Sequence, residues 1–200
     1  MLDPAATAKA LIRRKGAVRS RELVEAGVAR AQLSRLVATG DLVRLARGIY
    51  TVPGAVHTEG DEGVLVVAER IADVRLCLLT ALRLHGLTTQ SPFEVWIAIA
   101  NKDRVPRLDW PSLRVVRFSG EALNAGLELR KIDGRPVRVT GVAKTVADCF
   151  KFRNLVGLDV AIEALRDALR ARATTIDELW KYARICRVGN LMRPYLEAVA

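Results

Sequence analysis

Apolar positions along the first fifty residues recur at helical spacing in three short runs and then change period. Residues 6–15 predict a first helix, with Ala10 and Leu11 inward and Arg13, Arg14 and Lys15 at its negative end. Gly16 ends it. Ser20 is placed to cap a short second helix over residues 21–26. Gly27 supplies the positive φ that a tight helix–helix turn needs. Val28, Leu33, Leu36 and Val37 then keep the spacing of one helical face, and Gly40-Asp41 closes that third helix. Two β-prone runs follow, residues 42–45 and 49–52, joined by Ala46-Arg47-Gly48. Helix, helix, turn, helix, hairpin is the order of a winged helix-turn-helix. Its third helix would lie in the major groove of DNA and its hairpin, the wing, on the flanking backbone.

Residues 53–63 are a turn-rich junction. Beyond it, residues 64–72 and 76–87 predict helices, the second strongly apolar and ended by Gly86. The period then changes to that of strands over 94–100, 113–119, 127–132 and 135–139, the last two flanking Asp133-Gly134, a strong hairpin signal. The last third is helical. Thr145-x-x-Asp148 and Thr175-x-x-Glu178 have the spacing of capping boxes. Leu158, Ile162, Leu165 and Leu169 make one apolar stripe, opposite Glu163, Arg166, Asp167 and Arg170. Leu179, Tyr182, Ala183 and Cys186 make another, ended by Gly189. Leu191, Tyr195, Leu196 and Val199 fall on a final short helix. The fold class is α+β. A winged helix-turn-helix over 1–54 precedes a mixed domain over 60–200 with a small, mainly antiparallel sheet and several C-terminal helices.

Charge sharpens the first half of that picture. The chain of 200 residues carries a formal +10. Up to Gly54 there are ten basic and four acidic residues, a net of +6, whereas the remaining three-quarters nets only +4. A basic first quarter suits phosphate binding. On the third helix the outward residues are Ala31, Arg35 and Ala38, flanked by Arg30, Gln32 and Ser34. Arg reads guanine and Gln reads adenine by paired hydrogen bonds, and two alanines permit close approach to a groove. Arg44 and Arg47 fall on the wing, where Arg44 suits a phosphate and Arg47, at the tip, a narrow minor groove. Arg19 and Arg21 join Arg13, Arg14 and Lys15 around the first loop. The expected DNA-binding set is therefore Arg19, Arg21, Arg30, Gln32, Ser34, Arg35, Arg44 and Arg47; the plain alternative for each is a solvated face.

Catalytic and metal signatures are sparse. Cys77, Cys149 and Cys186 are far apart in apolar runs and predict buried free thiols in a reducing cytoplasm. His85 precedes Gly86 and reads as a helix terminus. His57 has no partner pattern, so neither a zinc site nor any other cofactor is expected. Lys144-Thr145-x-x-Asp148 has the residue types of an acid–base or phosphate site, but the same spacing caps a helix and leaves Lys144 at the surface. No phosphate loop, GxSxG or HExxH is present, and no E-x-K, the mark of common metal-dependent nucleases, occurs. The expectation is a non-enzyme. The start of the chain lacks a signal-peptide pattern and no run is long and apolar enough for a membrane span.

The words GAVRSRELVEAGVARAQLSRLVATGDLVRLARGIYTVPG resemble the N-terminal winged helix of the AbiEi family, antitoxins of type IV toxin–antitoxin systems associated with phage defence. The family usually has Ser or Thr where Ala29 caps the third helix, a change that costs about 1 kcal/mol. LLTALRLHGLTTQSPFEVWIAIANK and VRVTGVAKTVADCF resemble the family's C-terminal antitoxin domain more loosely. The resemblance implies a cytoplasmic autorepressor that binds inverted repeats in its own promoter and counters a nucleotidyltransferase-like toxin, with or without direct contact. Two other readings are a DNA-binding regulator whose C-terminal domain serves oligomerisation or sensing, and an enzyme acting on nucleic acid or on the toxin.

Overall fold

The side chain of Asp3 accepts a hydrogen bond from the Ala5 N–H and so starts the first helix, which carries a proline in its first turn. The computed structural model describes residues 3–54, 61–88 and 94–198; His57 and Val199 lie outside them. The chain divides into two units. The first comprises Met1–Val74 with Leu108–Ser112 and Arg130–Val137, and the second Arg75–Arg107, Leu113–Leu129 and Arg138–Ala200.

In the first unit the order is α1 (Pro4–Lys15), β1 (Val18–Arg19), α2 (Ser20–Glu25), α3 (Arg30–Ala38), β2 (Val43–Ala46), β3 (Ile49–Thr51) and α4 (Asp61–Arg70). β3 pairs antiparallel with both β1 and β2, giving the order β1-β3-β2. This is the winged helix-turn-helix arrangement that the periodicity predicted. Its core is Ala8, Ile12, Val18, Leu23, Val28, Leu33, Leu42 and Val52, with Leu36 and Val37 packed against it. The turn into α3 passes through Gly27 at φ +93, a conformation that costs a side chain strain. Ser20 does not cap α2. It is the first helical residue, and Glu22 instead accepts from the N–H of Arg19, the cap position, at 3.2 Å.

The second unit contains β4 (Arg75–Leu76), α5 (Leu78–Leu84), β5 (Val95–Ala100), β6 (Leu113–Phe118), a 3-10 turn at Gly120–Leu123, and α6 (Val142–Lys151), α7 (Arg153–Val156), α8 (Leu158–Arg170), α9 (Ile176–Ile185) and α10 (Gly189–Glu197). The strands β7 (Leu127–Ile132) and β8 (Arg135–Thr140) complete a sheet of order β6-β5-β4-β8-β7. Asp133 and Gly134 both take positive φ in the turn between them, as the Asp-Gly signal predicted. A Cβ on Gly134 would lie 2.7 Å from the Arg14 carbonyl oxygen, so glycine is required there for space as well as for φ.

Several expectations need correction here. β4–β5 is antiparallel, but β4–β8 and β5–β6 are parallel. Parallel neighbours are joined by long connections, and strand periodicity does not reveal them. The run over 76–87 is a short strand followed by a shorter helix. Gly189 opens α10 instead of closing α9, whose cap is Cys186. On α8 the buried face is Val160, Ala161, Ala164, Leu165 and Ala168, while Leu158 is exposed. Small alanines allow close helix packing, so the deepest positions are not the largest side chains.

Candidate nucleic-acid interface

The face of the first unit between α2, α3 and the wing is an open cleft of about 550 Å³. Its walls are Arg19, Ser20, Arg21, Arg30, Leu33, Ser34, Arg44, Arg47, Gly48, Tyr50 and Arg70. Six arginines and no carboxylate line it. It brings together six of the eight expected residues; Gln32 and Arg35 lie outside its lining.

Each wall is built locally. Leu33 is buried at the base of α3, so Arg30 and Ser34 stand exposed on either side of it and Arg35 points away from the core. Gln32 is spent elsewhere: its Oε1 accepts from the Ala29 N–H at 2.9 Å, the half of a capping box that the third helical residue supplies. The wing turn is held from α2, where the Ser20 N–H donates to the Gly48 carbonyl at 2.8 Å. Arg44 curls along the wing, its Nε 3.4 Å from the Ala46 carbonyl oxygen, and Arg47 is exposed at the tip. Arg21 is largely exposed and 3.6 Å from Glu25, a surface pair that contributes little and yields readily to a phosphate.

Arg19 is less free. Its Nε lies 3.3 Å from the buried carboxylate of Glu69, which also pairs with Arg135. Desolvation pushes the Glu69 carboxyl above its ordinary range, against the pull of Arg135 and Arg19. Beside it Glu22 moves the other way: burial raises it, but Lys15 and the Arg19 N–H hold it below the usual carboxylate value. Sequence reading missed Arg70 and Glu69 altogether. They lie on α4, past the turn-rich junction taken as the boundary, and no local pattern ties them to the wing.

The residues with the types of an acid–base set in the second unit, Lys144, Thr145 and Asp148, are fully buried. Thr145 does not cap a helix. It lies inside α6, whose cap is Gly141, and its hydroxyl bonds the Thr140 carbonyl at 2.8 Å. Lys144 is not a surface residue. It is fully buried, with its Nζ 2.5 Å from Asp148 and 4.6 Å from the centre of the Phe118 ring. Complete burial pushes the Asp148 carboxyl up while Lys144 pulls it down. The Cys186 thiol donates to Asp148 at 3.2 Å and is pushed up to about 12, chiefly by burial. Cys77 and Cys149 are raised by the same cause, so all three thiols are held protonated. His85 caps α5 and contacts the Thr140 carbonyl at 2.8 Å.

Residues 7–53 match a family model. The family is described as "Transcriptional regulator, AbiEi antitoxin". The AbiEi match therefore covers the winged helix, α1 to β3 save its first residues, and the cleft walls other than Arg70. No curated protein matches the chain. Among solved structures, the RV2827C protein from Mycobacterium tuberculosis is similar with a TM-score of 0.58 at 17% identity, over 90% of this chain and 71% of that one. At that identity the likeness is one of fold, and it extends beyond the AbiEi-matched segment.

Proposed function

We propose that this protein is an AbiEi-like antitoxin and transcriptional autorepressor. The observation that carries the reading is the acid-free arginine cleft between α2, α3 and the wing, whose walls other than Arg70 lie in the segment that the AbiEi model matches. DNA presents closely spaced phosphates, and a cleft of guanidiniums neutralises them while releasing counterions. In this reading α3 enters the major groove of inverted repeats in the protein's own promoter. Arg30, Ser34 and Arg35 face bases, and Arg19, Arg21, Arg44 and Arg47 grip the backbone. The second unit carries the antitoxin role against a nucleotidyltransferase-like toxin. Neither role requires a catalytic group or a cofactor.

Two measurements test this. Titration of the full chain onto its promoter and onto scrambled duplex, at several salt concentrations, should show operator preference and a steep loss of affinity with salt. Co-expression with the product of an adjacent nucleotidyltransferase-like gene should restore growth. Equal affinity for operator and scrambled DNA would defeat the repressor role, and failure to restore growth would defeat the antitoxin role.

A further inference from the structure

α4 buries Val64, Leu65, Val66 and Val67, and near its C-terminal end it also buries a carboxylate, Glu69, at 3% exposure. Burying an ionisable carboxyl is costly unless partners compensate it. Here the partners are guanidiniums, Arg135 on one side and Arg19 on the other. Arg19 is a wall of the arginine cleft, and Glu69 engages it through Nε. The next residue, Arg70, is exposed, lines the same cleft and donates to the carbonyl of Arg47 at the wing tip. Adjacent residues of α4 thus hold opposite walls of one surface. Both lie outside the segment 7–53.

We infer that the C-terminal end of α4 completes the DNA interface: Arg70 adds a phosphate contact and pins the wing turn, and Glu69 is a positioning residue that fixes Arg19. The inference rests on the DNA-binding reading above. Arg70 reaches the wing by a main-chain carbonyl, so the hold does not depend on which side chain Arg47 presents. With Ser20 already bonded to Gly48, the two-residue wing turn is tied from both sides. A turn held in this way loses less freedom on meeting DNA, and that saving appears as affinity.

The test uses the full chain, with operator and scrambled duplex over a range of salt. Arg70→Ala should weaken operator binding about tenfold and lower the salt slope by about one unit. Arg166→Ala removes one exposed charge from α8 and should leave both unchanged. Glu69→Gln removes a negative charge, so a simple charge effect would strengthen binding to every sequence. Positioning of a phosphate-gripping arginine predicts the opposite: binding to operator and scrambled duplex weakens alike, about threefold or more, while Arg70→Ala stays folded by circular dichroism. The inference is overturned if Arg70→Ala matches Arg166→Ala, or if Glu69→Gln binds both duplexes as tightly as the wild type or more tightly. A wild-type chain that binds no duplex removes the reading beneath it; wild-type binding with these variants indifferent removes this inference alone.

Discussion

Arg35 and Arg44 carry the same charge on different elements, and that difference sets what each loss should do. Arg35 is exposed on the outer side of α3, and Arg44 lies on a wing strand. A correct paired base contact is worth roughly 1–3 kcal/mol of discrimination. Arg35→Ala is therefore expected to erase operator preference, and Arg44→Ala to weaken operator and scrambled DNA by one factor. Equal effects of the two variants would mean that α3 presents another side to the groove. Gln32 is a different case, because its oxygen is already engaged by the Ala29 N–H. Gln32→Ala should lower the stability of the winged helix by about 1 kcal/mol, the net worth of one such bond, visible as a shifted denaturant midpoint. A variant that loses operator preference with an unshifted midpoint would show that Gln32 leaves the cap and reads a base.

At the scale of elements, α6 is the exposed-looking helix that is not exposed. Lys144 and Asp148 sit at i and i+4, the spacing of an ordinary surface ion pair, but both are fully buried. A surface pair contributes at most about 1 kcal/mol. Removing one partner of a buried pair costs roughly 3–5 kcal/mol, because the other charge is left without compensation. Lys144→Met should therefore destabilise the second unit by that amount in urea unfolding. Lys144→Met combined with Asp148→Leu should recover most of it. A single variant within about 1 kcal/mol of the wild type, the value for a solvated pair, would contradict this account. α9 is the contrasting element: Thr175 and Glu178 form the reciprocal cap that their spacing announced.

For the whole molecule, acid stability and DNA binding meet in the carboxylates around the cleft. The Glu22 carboxyl is held below its ordinary 4.5. A depressed carboxyl stabilises the fold above its unfolded value, and that contribution is lost as pH falls through the folded one. Melting temperatures of the wild type and Glu22→Gln, compared from pH 6 downward, should therefore converge below about pH 4.5, the wild type losing more. A constant gap across that range would show that Lys15 and the Arg19 N–H do not hold Glu22. Glu69 is shifted the other way by desolvation, so its cost is largest near neutrality and falls with acid.

Local grammar was enough to read the longer elements in order, though not the two-residue strands β1 and β4. The face of Leu33, Leu36 and Val37, the positive-φ Gly27, the Asp133-Gly134 turn and the Thr175–Glu178 cap depend on neighbours a few residues away, and sequence holds all of those neighbours. Composition likewise placed the excess of arginine in the first quarter. Tertiary structure decided which of these groups meet. Arg70 reaches the carbonyl of Arg47 across 23 positions, and Glu69 takes Arg19 and Arg135 from both directions along the chain. Lys144 and Asp148 have the same spacing on a wet helix as on a dry one; only the packing of Phe118 and the thiol of Cys186 around them makes the pair a core element. The parallel pairings β4–β8 and β5–β6 are of the same kind. Short-range geometry is written in consecutive residues, whereas burial and long-range pairing are properties of surfaces that exist only once the chain has closed on itself.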